Sequence, residues 1–164
     1  MTNEERYIQR DRMRYIKNSL SANLAILAIL FDVFYFVSIY QSNVGNYYYN
    51  ILIGASVVYN LIFMLAAFLS SEGVKAYKKN YSYLLILLGV GQIVRIFILP
   101  MRAHGATVAA GGVETAVMTD GQFTWVVACL AASAVCLIAS AVTNYVKCGI
   151  LEEHTRTSDV KTAV

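Results

Sequence analysis

The chain has 164 residues, of which 58% are hydrophobic and 14% are charged, and its formal net charge is +3. A soluble domain is nearer half apolar and a quarter charged, so these charges are too few to cover a surface exposed to water. The composition excludes an ordinary soluble protein and predicts one all-α integral membrane domain in the lipid bilayer, with no nucleic-acid partner.

The chain begins with a charged amphipathic segment, residues 1–19. Its acidic and basic residues rule out a cleavable signal peptide. Several side chains in and just after it recur at helical spacing, which predicts a short interfacial helix on the cytoplasmic membrane surface. A solvated tail is the alternative. The residues at this spacing are Ile8, Arg12, Tyr15, Ile16 and Leu20.

Four apolar runs follow, at about residues 20–40, 48–69, 83–101 and 123–146. Each has about the 20 residues that a helix needs to cross the hydrocarbon core of a bilayer. A helix satisfies its own backbone hydrogen bonds, as lipid requires. The sequence therefore predicts a four-transmembrane-helix up-down bundle over residues 20–146, whose first two helices are joined by a short outer loop, residues 41–47.

The lysines and arginines outside the runs are distributed unevenly. Eleven lie in the N-terminal segment, in the 70–82 connection or after residue 146, whereas the other two connections contain only Arg102. The positive-inside rule predicts that both termini are cytoplasmic, and the expected location is the cell membrane. Residues 147–164 are then a cytoplasmic tail, in which His154 is expected to be solvated.

The outer connection between the third and fourth runs contains two β-prone arms around Gly111-Gly112. This pattern predicts a small extracytoplasmic β-hairpin at about residues 105–118, with an irregular loop as the alternative. His104, Glu114 and Asp120 are spaced too irregularly to predict a metal site.

Two ionisable residues lie inside the runs: Asp32 and Arg95. Each is twelve residues past the start of its run, which begins at Leu20 or Tyr83, so both lie about 18 Å from the inner edge on helices that run in the same direction. Their equal depth and opposite charge predict a buried ion pair. The alternative is that each side chain reaches separately toward the outer surface.

Two amides extend this intramembrane polar network. Gln92 shares a helix face with Arg95, and Asn60 lies at nearly the depth of Gln92 on the second helix, so the two amides are expected to hydrogen bond. A polar track through Asn60, Gln92, Arg95 and Asp32 fits either helix packing or a narrow pathway for ions or a substrate.

The fourth run is rich in small residues that repeat every four positions. Such a ridge predicts a close helix contact, either within the chain or with another subunit. Its members are Ala128, Ala132, Cys136, Ser140 and Asn144. The three cysteines form no CxxC pair, so they are expected to pack as small side chains.

The sequence contains no nucleophile motif, zinc-protease motif or phosphate-binding loop, which predicts a non-catalytic protein without a cofactor or metal. The favoured function is an accessory or regulatory subunit of a larger membrane complex, bound to other membrane subunits or to copies of itself. The alternative is a small oligomeric transporter or channel that uses the polar track around Asp32 and Arg95. Other four-span proteins share this layout, but layout alone does not transfer function.

Overall fold

The structure is a computed structural model that describes residues 2–41, 50–110 and 113–162. Four of its helices contain segments long and apolar enough to cross a membrane, which is compatible with the predicted integral membrane protein. In chain order the elements are α1 (Asn3–Met13), α2 (Ser19–Gln41), α3 (Asn50–Lys75), α4 (Asn80–Ile98), α5 (Pro100–Ala103), β1 (Thr107–Ala110), β2 (Val113–Ala116) and α6 (Asp120–Thr162).

The four long helices form a ring. Helix α6 packs most extensively on α2 and on α4, α2 also packs on α3, and a smaller contact between α3 and α4 closes the ring. Helices α2 and α4 therefore lie diagonally across the bundle, so side chains that join them pass through its centre.

The contact between α2 and α6 is built from buried residues that alternate in steps of four and three. This 3.5-residue repeat keeps one helix face turned toward its neighbour in left-handed packing. Small residues within it bring the two backbones together. The α2 seam comprises Ser21, Ala25, Ala28, Asp32, Tyr35 and Ile39, and the α6 seam comprises Val126, Leu130, Ser133, Leu137, Ser140 and Asn144.

One end of the bundle, called the basic end here, gathers the start of α2, the α3–α4 connection and the later part of α6. The backbone N–H of Asn18 donates to the carbonyl of Lys75 at 3.1 Å. The Asn144 amide donates to the carbonyl of Lys78 at 3.3 Å, and the Cys148 thiol donates to that of Tyr77 at 3.0 Å. These bonds tie three helices together where the lysines are concentrated.

The opposite end, called the hairpin end, carries α5 and the two strands. The strands pair antiparallel from Thr107↔Ala116 to Ala110↔Val113, and the predicted turn at residues 111 and 112 lies outside the described residues. Val117 and Met118, which follow β2, are buried in a cluster with core residues of α2 and α6. A two-stranded hairpin is marginal alone, so this burial attaches it to the bundle. The predicted loop at residues 41–47 also lies outside the described residues, apart from Gln41.

Helix α6 does not end near residue 146 but continues to Thr162. The expectation that His154 is solvated is wrong, because its side chain is only 4% exposed. Helix α1 covers it: the Tyr7 ring packs edge-on with a centroid distance of 5.0 Å, and the Asp11 carboxylate lies 3.6 Å from Nε2. Residues 147–162 are therefore a helical extension of α6 on which α1 packs.

A capping box starts α1: the backbone N–H of Glu5 donates to the Thr2 hydroxyl, and the Glu5 carboxylate accepts from the backbone N–H of Thr2. The helix ends at Met13, so Tyr15 and Ile16 lie beyond it, and both side chains are exposed. Its location on a membrane surface stays a prediction.

Candidate functional site in the bundle interior

The centre of the bundle holds the ion pair of Asp32 on α2 and Arg95 on α4. Arg95 Nη1 donates to Asp32 Oδ1 at 3.1 Å, and the two side chains are 6% and 0% exposed for Arg95 and Asp32 respectively. The pair spans the diagonal of the ring because the two residues lie at the same depth on parallel helices. Leaving either charge unpaired at this depth would cost roughly several kcal/mol, so each residue compensates the buried charge of the other.

Gln92, one helical turn before Arg95, extends the pair to a third helix. Its Nε2 donates to Asp32 Oδ1 at 2.8 Å and to the Ser133 hydroxyl at 3.3 Å. The Ser133 hydroxyl in turn donates to the carbonyl of Ala28 at 2.9 Å. Side chains of α4 thereby hold the Asp32 carboxylate, and Ser133 on α6 accepts a hydrogen bond from one of them. Ser133 was not among the predicted site residues. The sequence signal that could have identified it is its hydroxyl at a position of the 3.5-residue repeat that forms the α6 seam.

Two tyrosine rings flank the guanidinium of Arg95. Its Cζ lies 4.3 Å from the ring centroid of Tyr35 on α2 and 5.1 Å from that of Tyr59 on α3. Aromatic faces attract cations, and the attraction is stronger where water is excluded. The rings therefore help to hold a positive charge in the interior, a role that sequence reasoning did not assign to them.

Asn60 lies on the same part of α3, directly after Tyr59, and is fully buried. The expected hydrogen bond between Asn60 and Gln92 does not form. Gln92 donates to Asp32 and Ser133 instead, because an ionised carboxylate is a stronger acceptor than an amide. Neither polar side-chain atom of Asn60 has a hydrogen-bond partner among the described residues.

The predicted packing face of α6 is only partly the buried one. Ser140 and Asn144 are buried, whereas Ala128 is exposed and Ala132 and Cys136 are half-buried. Successive steps of four residues advance about 40° past a full turn, so a ridge with this spacing winds away from a neighbouring helix. The seam with alternating steps of four and three stays in contact, and Ser140 and Asn144 belong to it.

A second polar layer lies near the basic end. The Asn144 side chain donates to the Ser82 hydroxyl at 2.8 Å and accepts from the Asn18 amide at 3.0 Å. Lys147 Nζ donates to the Asn18 side-chain oxygen at 2.9 Å. This layer joins α2, α4 and α6, and its polar groups are well partnered, unlike those around Asn60. Apart from Asn144, these residues escaped prediction because they lie outside the runs or near their ends.

The other candidates do not assemble into a site. His104 lies 3.0 Å from the Asp120 carboxylate on the exposed hairpin end. The cysteines are free thiols. Within the described ranges, no three histidine, cysteine or acidic side chains are placed to hold a metal ion together.

Comparison of the chain with protein-family models, curated proteins and solved structures gives no match. Function is therefore inferred from geometry. The interior contains a neutralised charge pair, the amide of Gln92 and the hydroxyl of Ser133, linked by hydrogen bonds across α2, α4 and α6, and the buried amide of Asn60 on α3. Such an arrangement can fix the helices in register and can offer hydrogen bonds to a small polar molecule.

Proposed function

We propose that this chain is a non-catalytic subunit of a larger membrane complex, which it assembles or regulates through contacts with other membrane proteins. The observation that carries the proposal is α6, a single helix from Asp120 to Thr162 that belongs to the bundle over its first half and extends beyond it. The extension offers a partner a surface that is joined to the membrane domain without a flexible linker.

The distribution of polar groups supports this proposal. Asp32 and Arg95 neutralise each other inside the ring, while large apolar side chains such as Ile62, Leu65 and Leu87 are exposed on α3 and α4. Apolar helix faces of this kind contact lipid or the helices of another membrane protein. Contacts with other molecules then take place at the outer surfaces of the chain.

The proposal includes an orientation in the cell membrane. The basic end lies in the cytoplasm and the hairpin end outside, because the lysines and arginines outside the runs are concentrated at the basic end. The extension of α6 and helix α1 are then both available to cytoplasmic partners, and α1 lies close to the anionic membrane surface.

The test is purification of the full chain from its native membrane in a mild detergent, followed by native mass spectrometry. We expect a complex of fixed stoichiometry with other membrane subunits. The variant Glu153→Lys with Arg156→Glu, on the exposed face of the extension, should lose the partner. The matched control is Arg102→Glu with Glu114→Lys, which changes exposed charges at the hairpin end and should keep it. Recovery of a lone monomer contradicts the proposal.

A second function, a small oligomeric transporter or channel, is favoured by one observation: the interior contains polar atoms that no described protein group engages. Intramembrane polar and charged groups often mark the path of an ion or a substrate. If this function holds, the purified chain alone should carry a flux in lipid vesicles. Asp32→Asn with Arg95→Gln should abolish that flux without unfolding the protein, whereas absence of flux from the purified chain contradicts the idea.

A further inference from the structure

The bundle interior contains buried hydrogen-bonding atoms that lack a protein partner among the described residues. On the ion pair and its neighbour these are Asp32 Oδ2, Arg95 Nη2 and Gln92 Oε1, and on α3 they are both polar atoms of the Asn60 side chain. The Tyr35 hydroxyl belongs to the same group. These residues are between 0% and 5% exposed.

Such a concentration is costly in a dry interior. Most buried polar atoms in proteins have a partner, either another protein group or an ordered water molecule. Each atom left without one destabilises the fold, because it gives up hydrogen bonds to water and gains none in return. In the second polar layer of the same bundle, both polar side-chain atoms of Asn144 hydrogen bond to protein groups. The unpartnered atoms are therefore a feature of the central residues.

The chemistry of the unpartnered atoms identifies what they bind. They include donors, on Arg95 and Asn60, and acceptors, on Asp32, Gln92 and Asn60. The carboxylate and the guanidinium cancel each other, so the site has no net charge with which to hold an ion. The complement is a small neutral molecule that both donates and accepts hydrogen bonds.

We infer that the centre of the bundle binds water, held among the unpartnered atoms of Asp32, Arg95, Gln92 and Asn60. Water fits the closed surroundings better than a larger molecule, because the side chains that surround the site are almost wholly buried. A buried water molecule commonly makes about three hydrogen bonds, so a few water molecules would provide partners for all of these atoms. This inference does not depend on whether the chain has a protein partner.

The first test compares two buried asparagines in the full chain in lipid vesicles. Asn144→Leu removes bonds to protein groups and should lower the midpoint of thermal unfolding. Asn60→Leu should lower it as well, because the bound water loses partners. In a dry interior, Asn60→Leu would instead remove two unsatisfied atoms and raise the midpoint. A higher midpoint for Asn60→Leu overturns the inference.

The second test needs no variant. Water-edited solid-state NMR on the native chain measures the transfer of proton magnetisation from water to individual side chains. We expect transfer to the Arg95 guanidinium and the Asn60 amide well above that to the Leu130 methyl groups, which are buried in the same bundle at the α6 seam. Transfer to Arg95 no greater than to Leu130 overturns the inference, and so does density for a larger molecule in a high-resolution structure.

Discussion

Ser21 on α2 and Ser140 on α6 exchange hydrogen bonds: the hydroxyl of each donates to the backbone carbonyl of the other at 2.6 Å. The two hydroxyl oxygens are also 2.9 Å apart. A side chain reaches the backbone of a neighbouring helix over such a short distance only where both residues are small. This serine pair therefore marks a point of close approach in the bundle.

A larger side chain at this contact should destabilise the bundle. We expect Ser140→Leu to lower the free energy of unfolding by about 1–3 kcal/mol through overpacking, plus about 1 kcal/mol for the lost hydrogen bonds. Thermal unfolding in detergent measures the change. The control is Ala128→Leu on the exposed face of α6, which should change stability by less than about 0.5 kcal/mol. Equal effects of the two variants would show that α6 packs through a different face.

The ion pair of Asp32 and Arg95 can be tested by a double-mutant cycle. Either Asp32→Asn or Arg95→Gln should destabilise the fold by about 3–5 kcal/mol, because the remaining charge is buried without its partner. The double variant should recover much of that loss, since neither charge then needs compensation. Additive losses in thermal unfolding would mean that the two residues act independently.

The contact between α1 and the extension of α6 should open when His154 is removed. We expect His154→Ala to expose the N-terminal segment, so that trypsin cleaves after Arg10 and Arg12 faster than in the native chain. The midpoint of thermal unfolding should hardly change, because α1 buries none of its own residues. Arg156→Ala, at an exposed position on the same extension, is the control. Unchanged cleavage in His154→Ala would show that α1 does not depend on this histidine.

A surface ion pair at the basic end predicts a dependence on pH. Lys79 Nζ lies 3.4 Å from the Glu152 carboxylate, whose attraction raises the pKa of Lys79 above its ordinary value of 10.5. The stabilisation from this pair is therefore fully present below pH 10.5 and is lost as the pH rises through the raised pKa. In NMR titrations, Glu152→Gln should lower the titration midpoint of Lys79, whereas Glu153→Gln should leave it nearly unchanged. An equal shift in both variants would rule out a specific pair.

The proposed orientation can be tested by labelling single cysteines with a membrane-impermeant reagent. Cys148 is a poor probe because its thiol is buried against the carbonyl of Tyr77. We instead expect Glu153→Cys to react only from the cytoplasmic side and Thr107→Cys only from the outer side, since both positions are exposed. The reverse pattern would invert the orientation.

The apolar runs predicted the long helices well because lipid imposes a simple requirement of length and hydropathy. The boundaries of the runs were less accurate at the basic end, where α6 continues past residue 146 through polar residues. Hydropathy reports the segment that can lie in lipid, and a helix can extend beyond that segment. The burial of His154 was missed for the same reason, because it depends on a contact with α1 that leaves no local pattern in the sequence.

Contacts in the bundle interior could be predicted only where the depth of two residues along their helices was enough to identify them as partners. Asp32 and Arg95 lie together in the structure, as depth and charge predicted, but depth did not predict that Gln92 donates to Asp32 and Ser133 instead of Asn60. That choice depends on rotation about each helix axis and on competition among acceptors. The same limit explains why Ala128 was wrongly placed on the packing face. It belongs to the same four-residue ridge as Ser140 but lies on the exposed side of α6.

The attachment of α1 to the extension of α6 closes a loop between the first and last parts of the chain. Helix α1 is joined to α2 by the few residues 14–18, and at His154 it contacts the helix that also forms the central seam. A twist of α6 about its axis would therefore swing α1 or break the contact at His154. Inserting one alanine between Cys148 and His154 would turn the contact face by about 100°. Torsion of one continuous helix is thus a mechanical route between the bundle and its N-terminal segment.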